Sequence, residues 1–270
     1  MLVTEPRPSG SGLCFLLLAT LSFVSTLPAD APIYSADSLV NSADNQSGWL
    51  APNAIATLYG RNLAYGTKTL SSDDIRGGVL PTVLPNTGVR VLVNGLPANP
   101  YYVSPTQINF LIPPNLLAGP STVQLVIDGL AGSQISVALA AAAPALFQLD
   151  QQNIIATRPD ESLITPAASA KPGDVVVLYA TGLGQAVPPV AYGELPRLAA
   201  PLLALSDFHL LLDGNAVDPN AIAYAGIAPG FAGLYQINLI LPGSTGANPE
   251  IRIGIGDAIS KAGLHIPVSP

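Results

Sequence analysis

Chemistry needs converging residues able to act as acid, base, nucleophile or ligand. Only two histidines occur in the 270 residues, His209 and His265. His209 falls on the polar register of a strand-like stretch, and His265 stands between Leu264 and Ile266, whose side chains point the other way. A zinc site needs three or four ligands, and two isolated imidazoles do not supply it. The acidic pairs Asp73-Asp74 and Asp160-Glu161 lie in turn-like stretches, where carboxylates brace backbone turns. "DGNAVD", residues 213–218, places two carboxylates and an amide close together as an oxygen-ligand site would, but it lacks the length and terminal Glu of a calcium loop. It reads as an Asp-Gly hairpin turn. No nucleophile elbow, zinc-protease helix, phosphate loop or dinucleotide fingerprint is present. The expectation is a chain with no catalytic residues, no metal site and no cofactor.

Aromatic side chains are the other candidates. "AYAGIAPGFAGLY", residues 223–235, brings Tyr224, Phe231 and Tyr235 into one glycine-containing stretch. Loops on a rigid scaffold are where binding residues gather, and aromatic faces suit sugar rings. These three are the candidate ligand-binding residues. The competing reading has Phe231 and Tyr235 filling a gap between domains. Trp49, the sole tryptophan, precedes a strand-like run and is expected to cap a core.

What must position these residues is a repeated plan. "QINFLIP" (107–113) returns as "QINLILP" (236–242), each alternating polar and apolar side chains before a proline that ends the ladder. "APNAIATLYGRNLA" (51–64) matches "KPGDVVVLYATGLG" (171–184) at an offset of 120, and "VRVLVNG" (89–95) matches "FHLLLDG" (208–214) at 119. "SLVNSA" and "SLITPA", starting at Ser38 and Ser162, are expected to mark an early strand in each copy. The offset reaches 129 at Gln236, so the second copy carries ten extra residues around the aromatic stretch. Short strands separated by Gly, Pro, Asn and Asp turns predict an all-β fold of two tandem β-sandwiches. The predicted domains are 32–145 and 146–270, abutting without a flexible linker.

"LYGRNL", then "VRVLVNGLPANPYYVSPTQINFLIP" and "GPSTVQLVIDG", resembles the IPT/TIG type of immunoglobulin-like domain. The 38–268 span is more similar still to an uncharacterised C-terminal domain family of secreted acidobacterial proteins, the Solibacter type. The resemblance implies an Ig-like fold on an exported bacterial protein and no established activity.

Composition agrees with that class. The chain is 49% hydrophobic and 10% charged, carries 27 prolines and has a net charge of −7. Interior prolines at about 3 kcal/mol each argue against helices, and the lack of a basic stripe argues against a nucleic-acid partner. Residues 13–24 form an apolar run too short to cross a bilayer but suited to a signal-peptide core, so 1–31 is predicted to be a cleaved export signal. Cys14, the single cysteine, falls within it, so no disulfide is expected and no membrane span in the mature chain. The sequence therefore predicts a secreted, periplasmic or cell-surface protein that is a non-enzymatic interaction or structural module. Its partner would be an extracellular or envelope protein or glycan. The alternatives are a carbohydrate-binding module using the aromatic loop and, third, a polysaccharide- or peptide-acting enzyme.

Overall fold

The computed structural model describes residues 30–270. The export signal predicted at 1–31, Cys14 included, lies outside the described residues except for its last two positions. Among the described residues antiparallel strands dominate, broken by four short 3-10 turns. Among the described residues no helix is long and apolar enough to cross a membrane.

The alternating stretches form strands with the expected faces. In Gln107–Leu111, Ile108 and Phe110 are fully buried, while Gln107 and Asn109 are half-buried on the other face. Tyr235–Ile240 repeats this with Tyr235, Ile237 and Leu239 inward. The first copy has a sheet ordered Leu39–Asn41, Ile55–Tyr59, Gln107–Leu111, Asn99–Val103, Lys68–Thr69. It faces a second sheet built on Ile135–Leu139, Gly119–Ile127, Val89–Val93 and Leu96–Pro97. One core joins them: Leu58, Ile108 and Phe110 from the first sheet pack with Val91, Leu125 and Ile127 from the second. The second copy has the sheet Ala145–Leu146, Val175–Thr181, Tyr235–Ile240, Ile222–Ile227, Ala200–Pro201 and the sheet Asn215–Ala216, Phe208–Leu212, Ile251–Ile255, Ala258–Ile259. Its own core unites Leu178, Ile237 and Leu239 with Leu210, Ile251 and Ile253. The protein is all-β, with two sandwiches in tandem.

Strand register shows how closely the plan was copied. Thr57 pairs with Asn109, and Val177 with Asn238; Val91 pairs with Leu125, and Leu210 with Ile253. Both copies carry a bulge at the same place, between Pro100 and Tyr102 in one and between Ile222 and Tyr224 in the other. The turns at Asn94-Gly95 and Asp213-Gly214 hold both residues at positive φ, the tight geometry that suits a right-twisted hairpin.

One expected strand is misplaced. Residues 162–167 form no named strand, only an antiparallel bridge from Leu163 to Thr157 with the Ile164 amide on Ala156 O at 2.8 Å, across a turn that Asp160 Oδ1 braces by accepting the Ser162 amide at 3.0 Å. The partner of Leu178 is instead Ala156, in the strand Ala156–Thr157, where Leu39 pairs with Leu58 in the first copy. The ten extra residues also divide. Pro100 and Ile222 occupy equivalent bulge positions at an offset of 122 rather than 119, because the 3-10 turn Pro219–Ala221 adds three residues. The remaining seven lengthen the hairpin between Ala225 and Ile237.

Candidate functional site

The lengthened hairpin lies across the first sandwich. Tyr235 is fully buried, and its hydroxyl accepts from Asn53 Nδ2 at 3.0 Å and donates to the Gly184 carbonyl. Burial pushes this phenol well above its ordinary range. Thr181 Oγ1 accepts the Ile55 amide at 2.9 Å and donates to Gly233 O at 2.7 Å. Tyr101, whose hydroxyl is likewise raised by burial, donates to Ala232 O at 2.7 Å. Leu111, apolar on the outward face of its strand, packs with Leu80 and Ala232. Gly233 permits this approach: at φ +75, a Cβ there would meet Leu111 Cδ1 at 2.6 Å and Ile55 Cγ1 at 2.9 Å. Leu80 N to Gly193 O at 2.7 Å and Leu195 N to Gly78 O at 2.8 Å add a second set of ties. The two sandwiches are fused through backbone and side-chain bonds rather than strung on a linker.

That junction redistributes the three predicted aromatics. Tyr235 offers no surface to a ligand, so its place among the candidate binding residues is corrected: it is a buried tie. Tyr224 is half-buried and spends its hydroxyl on Ile227 O at 2.7 Å. Phe231 stands 61% exposed at the hairpin tip and does not plug the gap. It borders an apolar cleft of about 340 Å3 with Leu70, Tyr101 and Leu195. The three rings therefore form no common platform.

The sequence reading also missed the exposure of Trp49. Trp49, expected to cap a core, is 60% exposed. Leu50 is buried and accepts the Ala140 amide at 2.8 Å, so alternation turns Trp49 outward. Before it, Asn41 Oδ1 takes the Ala43 amide, Asp44 Oδ1 takes the Gln46 amide, both at 3.0 Å, and Gly48 at φ +81 reverses the chain. This braced turn lines one wall of a cleft of about 260 Å3 between the sandwiches; the opposite wall is Arg252, Ile259, Ser260 and Lys261. Arg252 lies between the buried Ile251 and Ile253 and so projects from the other face of its strand. Its Nε and Nη2 donate to Ser260 O at 3.0 and 2.9 Å, which fixes the guanidinium. Asp44 is nearly buried; desolvation pushes its carboxyl up, opposed by the Gln46 amide and by the nearby Lys261 ammonium. Aromatic, cationic and carboxylate groups thus meet around one opening, drawn from positions 44 to 261.

The remaining predicted candidates serve local structure. Asp74 bonds Ser71 and pairs with Lys68 at 3.1 Å, and its carboxyl is held below the usual range by those contacts. Asp160 is lowered by Ser162. Asp213 Oδ1 accepts the Glu250 amide at 2.8 Å, while Asp218 Oδ1 caps the turn at Asn220 at 2.9 Å. His209 and His265 each place Nδ1 near a backbone carbonyl, Asp207 O and Asn248 O. Among the described residues no group of three His, Cys, Asp or Glu side chains is arranged to hold a metal.

No protein-family model and no curated protein matches the chain. Solved structures similar to it include the surface glycan-binding protein PbSGBP-B from Prevotella bryantii, with 11% identity over 89% of this chain and 43% of that one and a TM-score of 0.28. The Bacteroides ovatus mixed-linkage glucan utilization locus SGBP-B, in complex with a mixed-linkage heptasaccharide, gives 14% identity over 82% and 42%, with a TM-score of 0.32. The tandem Ig repeats of Dlar give 11% identity over 82% and 91%, with a TM-score of 0.21. The chain spans less than half the length of the first two.

Proposed function

We propose that this protein is an exported, non-enzymatic pair of IPT/TIG-like sandwiches, of the Solibacter type, acting as an interaction module at or outside the cell envelope. In this reading residues 32–145 and 146–270 are the two domains, and 1–31 is the export signal. The observation that carries the proposal is the fused junction. Asn53, Thr181, Tyr101 and Tyr235 hold the pair in one orientation, so surface from both copies is presented together without ordering cost on binding. The engagement of Asp74, Asp160 and the two histidines in turns and backbone contacts favours a scaffold over a catalyst. The partner is an envelope protein or glycan.

Retention of the purified protein on envelope material from the producing cell tests this reading, with half of the material digested by protease beforehand. Retention is expected in at least one arm, and survival of protease identifies a glycan partner. Failure to be retained on either material would overturn the reading.

A further inference from the structure

The apolar cleft beside Phe231 has nothing on it to identify an occupant. Asp213 and Asp218 are already committed to the Glu250 and Asn220 amides. The openings at Leu117–Leu203 and Pro188–Leu198 carry few polar groups that could fix a ligand. The Trp49 cleft differs, because its groups are chemically complementary and are held from both sandwiches.

We propose that the cleft between Trp49 and Arg252–Lys261 binds one acidic sugar residue of a glycan. This deepens the interaction-module reading by naming a site and a ligand class, and it rests on that reading for its glycan partner. An exposed indole on a braced turn presents a flat apolar face, the surface on which the C–H face of a pyranose stacks. Asp44 is an acceptor for ring hydroxyls, and the Gln46 side-chain carboxamide both donates and accepts. Arg252 is pinned by two bonds to one carbonyl, so its Nη1 hydrogens keep a fixed direction, and Lys261 lies beside it. Two cations against one carboxylate make the opening locally positive on a chain of net charge −7. A carboxylate or sulfate on the sugar would neutralise that excess through charge-assisted bonds. The volume, about 260 Å3, is below the roughly 300–1,000 Å3 of pockets that engulf drug-sized ligands. It suits a single ring held at an open cleft. A nucleotide would also stack and place phosphate on Arg252, but Asp44 would face a multiply charged phosphate at close range.

Trp49 is the sole tryptophan, so its emission reports the site directly. The purified protein is titrated with trigalacturonate, with maltotriose and with adenosine monophosphate, at low and high salt. The expected result is a saturable emission change with trigalacturonate that weakens about threefold to fivefold in 0.5 M NaCl, as salt screens an exposed ion pair worth up to about 1 kcal/mol. Maltotriose binds at least tenfold more weakly. The exposed Lys261→Gln weakens the acidic sugar about tenfold, and Trp49→Ala abolishes its calorimetric heat while the melting transition is kept. No emission change with either sugar, equal affinity for the two sugars, an unchanged Lys261→Gln, or tighter binding of the nucleotide would each overturn the assignment. If Trp49→Ala is still retained on envelope material, the module reading stands and only this site falls.

Discussion

Replacing Tyr235 by Phe removes one oxygen from the junction and tests whether that oxygen ties the sandwiches together. The ring itself stays, so packing in the second core is unchanged. Two buried groups lose their partner: Asn53 Nδ2, now 3.0 Å from the hydroxyl, and the Gly184 carbonyl. Asn53 is 4% exposed, and its Oδ1 already lacks a partner, so the amide has no alternative bond on that side. An orphaned buried polar group costs about 1–3 kcal/mol, and two of them at the lower middle of that range give about 3 kcal/mol. For a chain of this size 1 kcal/mol moves the melting temperature by about 2–4 °C, so the loss should be about 6–12 °C in differential scanning calorimetry. Asn53→Gly provides the cycle. Asn53 lies at φ +62, a backbone glycine adopts freely, and the substitution deletes the orphaned amide. The double variant should therefore lose less than the sum of the singles, by about 1 kcal/mol. A Tyr235→Phe transition superimposable on the parent's, or strict additivity in the cycle, would refute the reasoning.

Three further outcomes follow from the same geometry. Ile237→Asp strands a carboxylate in the fully buried second core and should abolish the folded signal of that sandwich in near-ultraviolet circular dichroism; an unchanged melt would sink the strand-face assignment. Gly233→Ala forces a Cβ against Leu111 and Ile55 at positive φ and should lower stability by about 1–3 kcal/mol, read in urea unfolding. Burial raises the phenols of Tyr101 and Tyr235 above their ordinary range, so folding favours their neutral forms. Their contribution is complete below the unfolded value and is lost as pH climbs past it toward the folded ones. Chemical stability should accordingly be flat from neutral pH to 9 and fall above about pH 10. Tyr101→Phe should flatten that alkaline fall, and a slope identical to the parent's would contradict the burial of its hydroxyl.

The fold was legible where a residue's face depends on its immediate neighbours. Gln107-Ile108-Asn109-Phe110 and its echo at Gln236 show their period in the letters, and pairing in the structure keeps equivalent registers. The strand expected at 162–167 was displaced because similar letters do not fix a partner: Ala156–Thr157 pairs with Leu178 and Val177, and Leu163 only bridges to the outer edge of that short strand at Thr157. The site was less legible because its residues are joined by tertiary approach. Nothing near Tyr235 announces Asn53, which meets it across the junction, and the same contact removed Tyr235 from the candidate surface. Trp49 could have been read outward from its alternation with the apolar Leu50 after Gly48, but its neighbours Arg252 and Lys261 lie in the other copy and share no motif with it.

The central claim is binding without turnover, and one mixture measures both parts. The purified protein is incubated with envelope material from the producing cell, and bound protein and released reducing ends are followed over time. The account predicts saturable retention with no growth in reducing ends. Time-dependent release of reducing ends would contradict it and reinstate the enzyme reading.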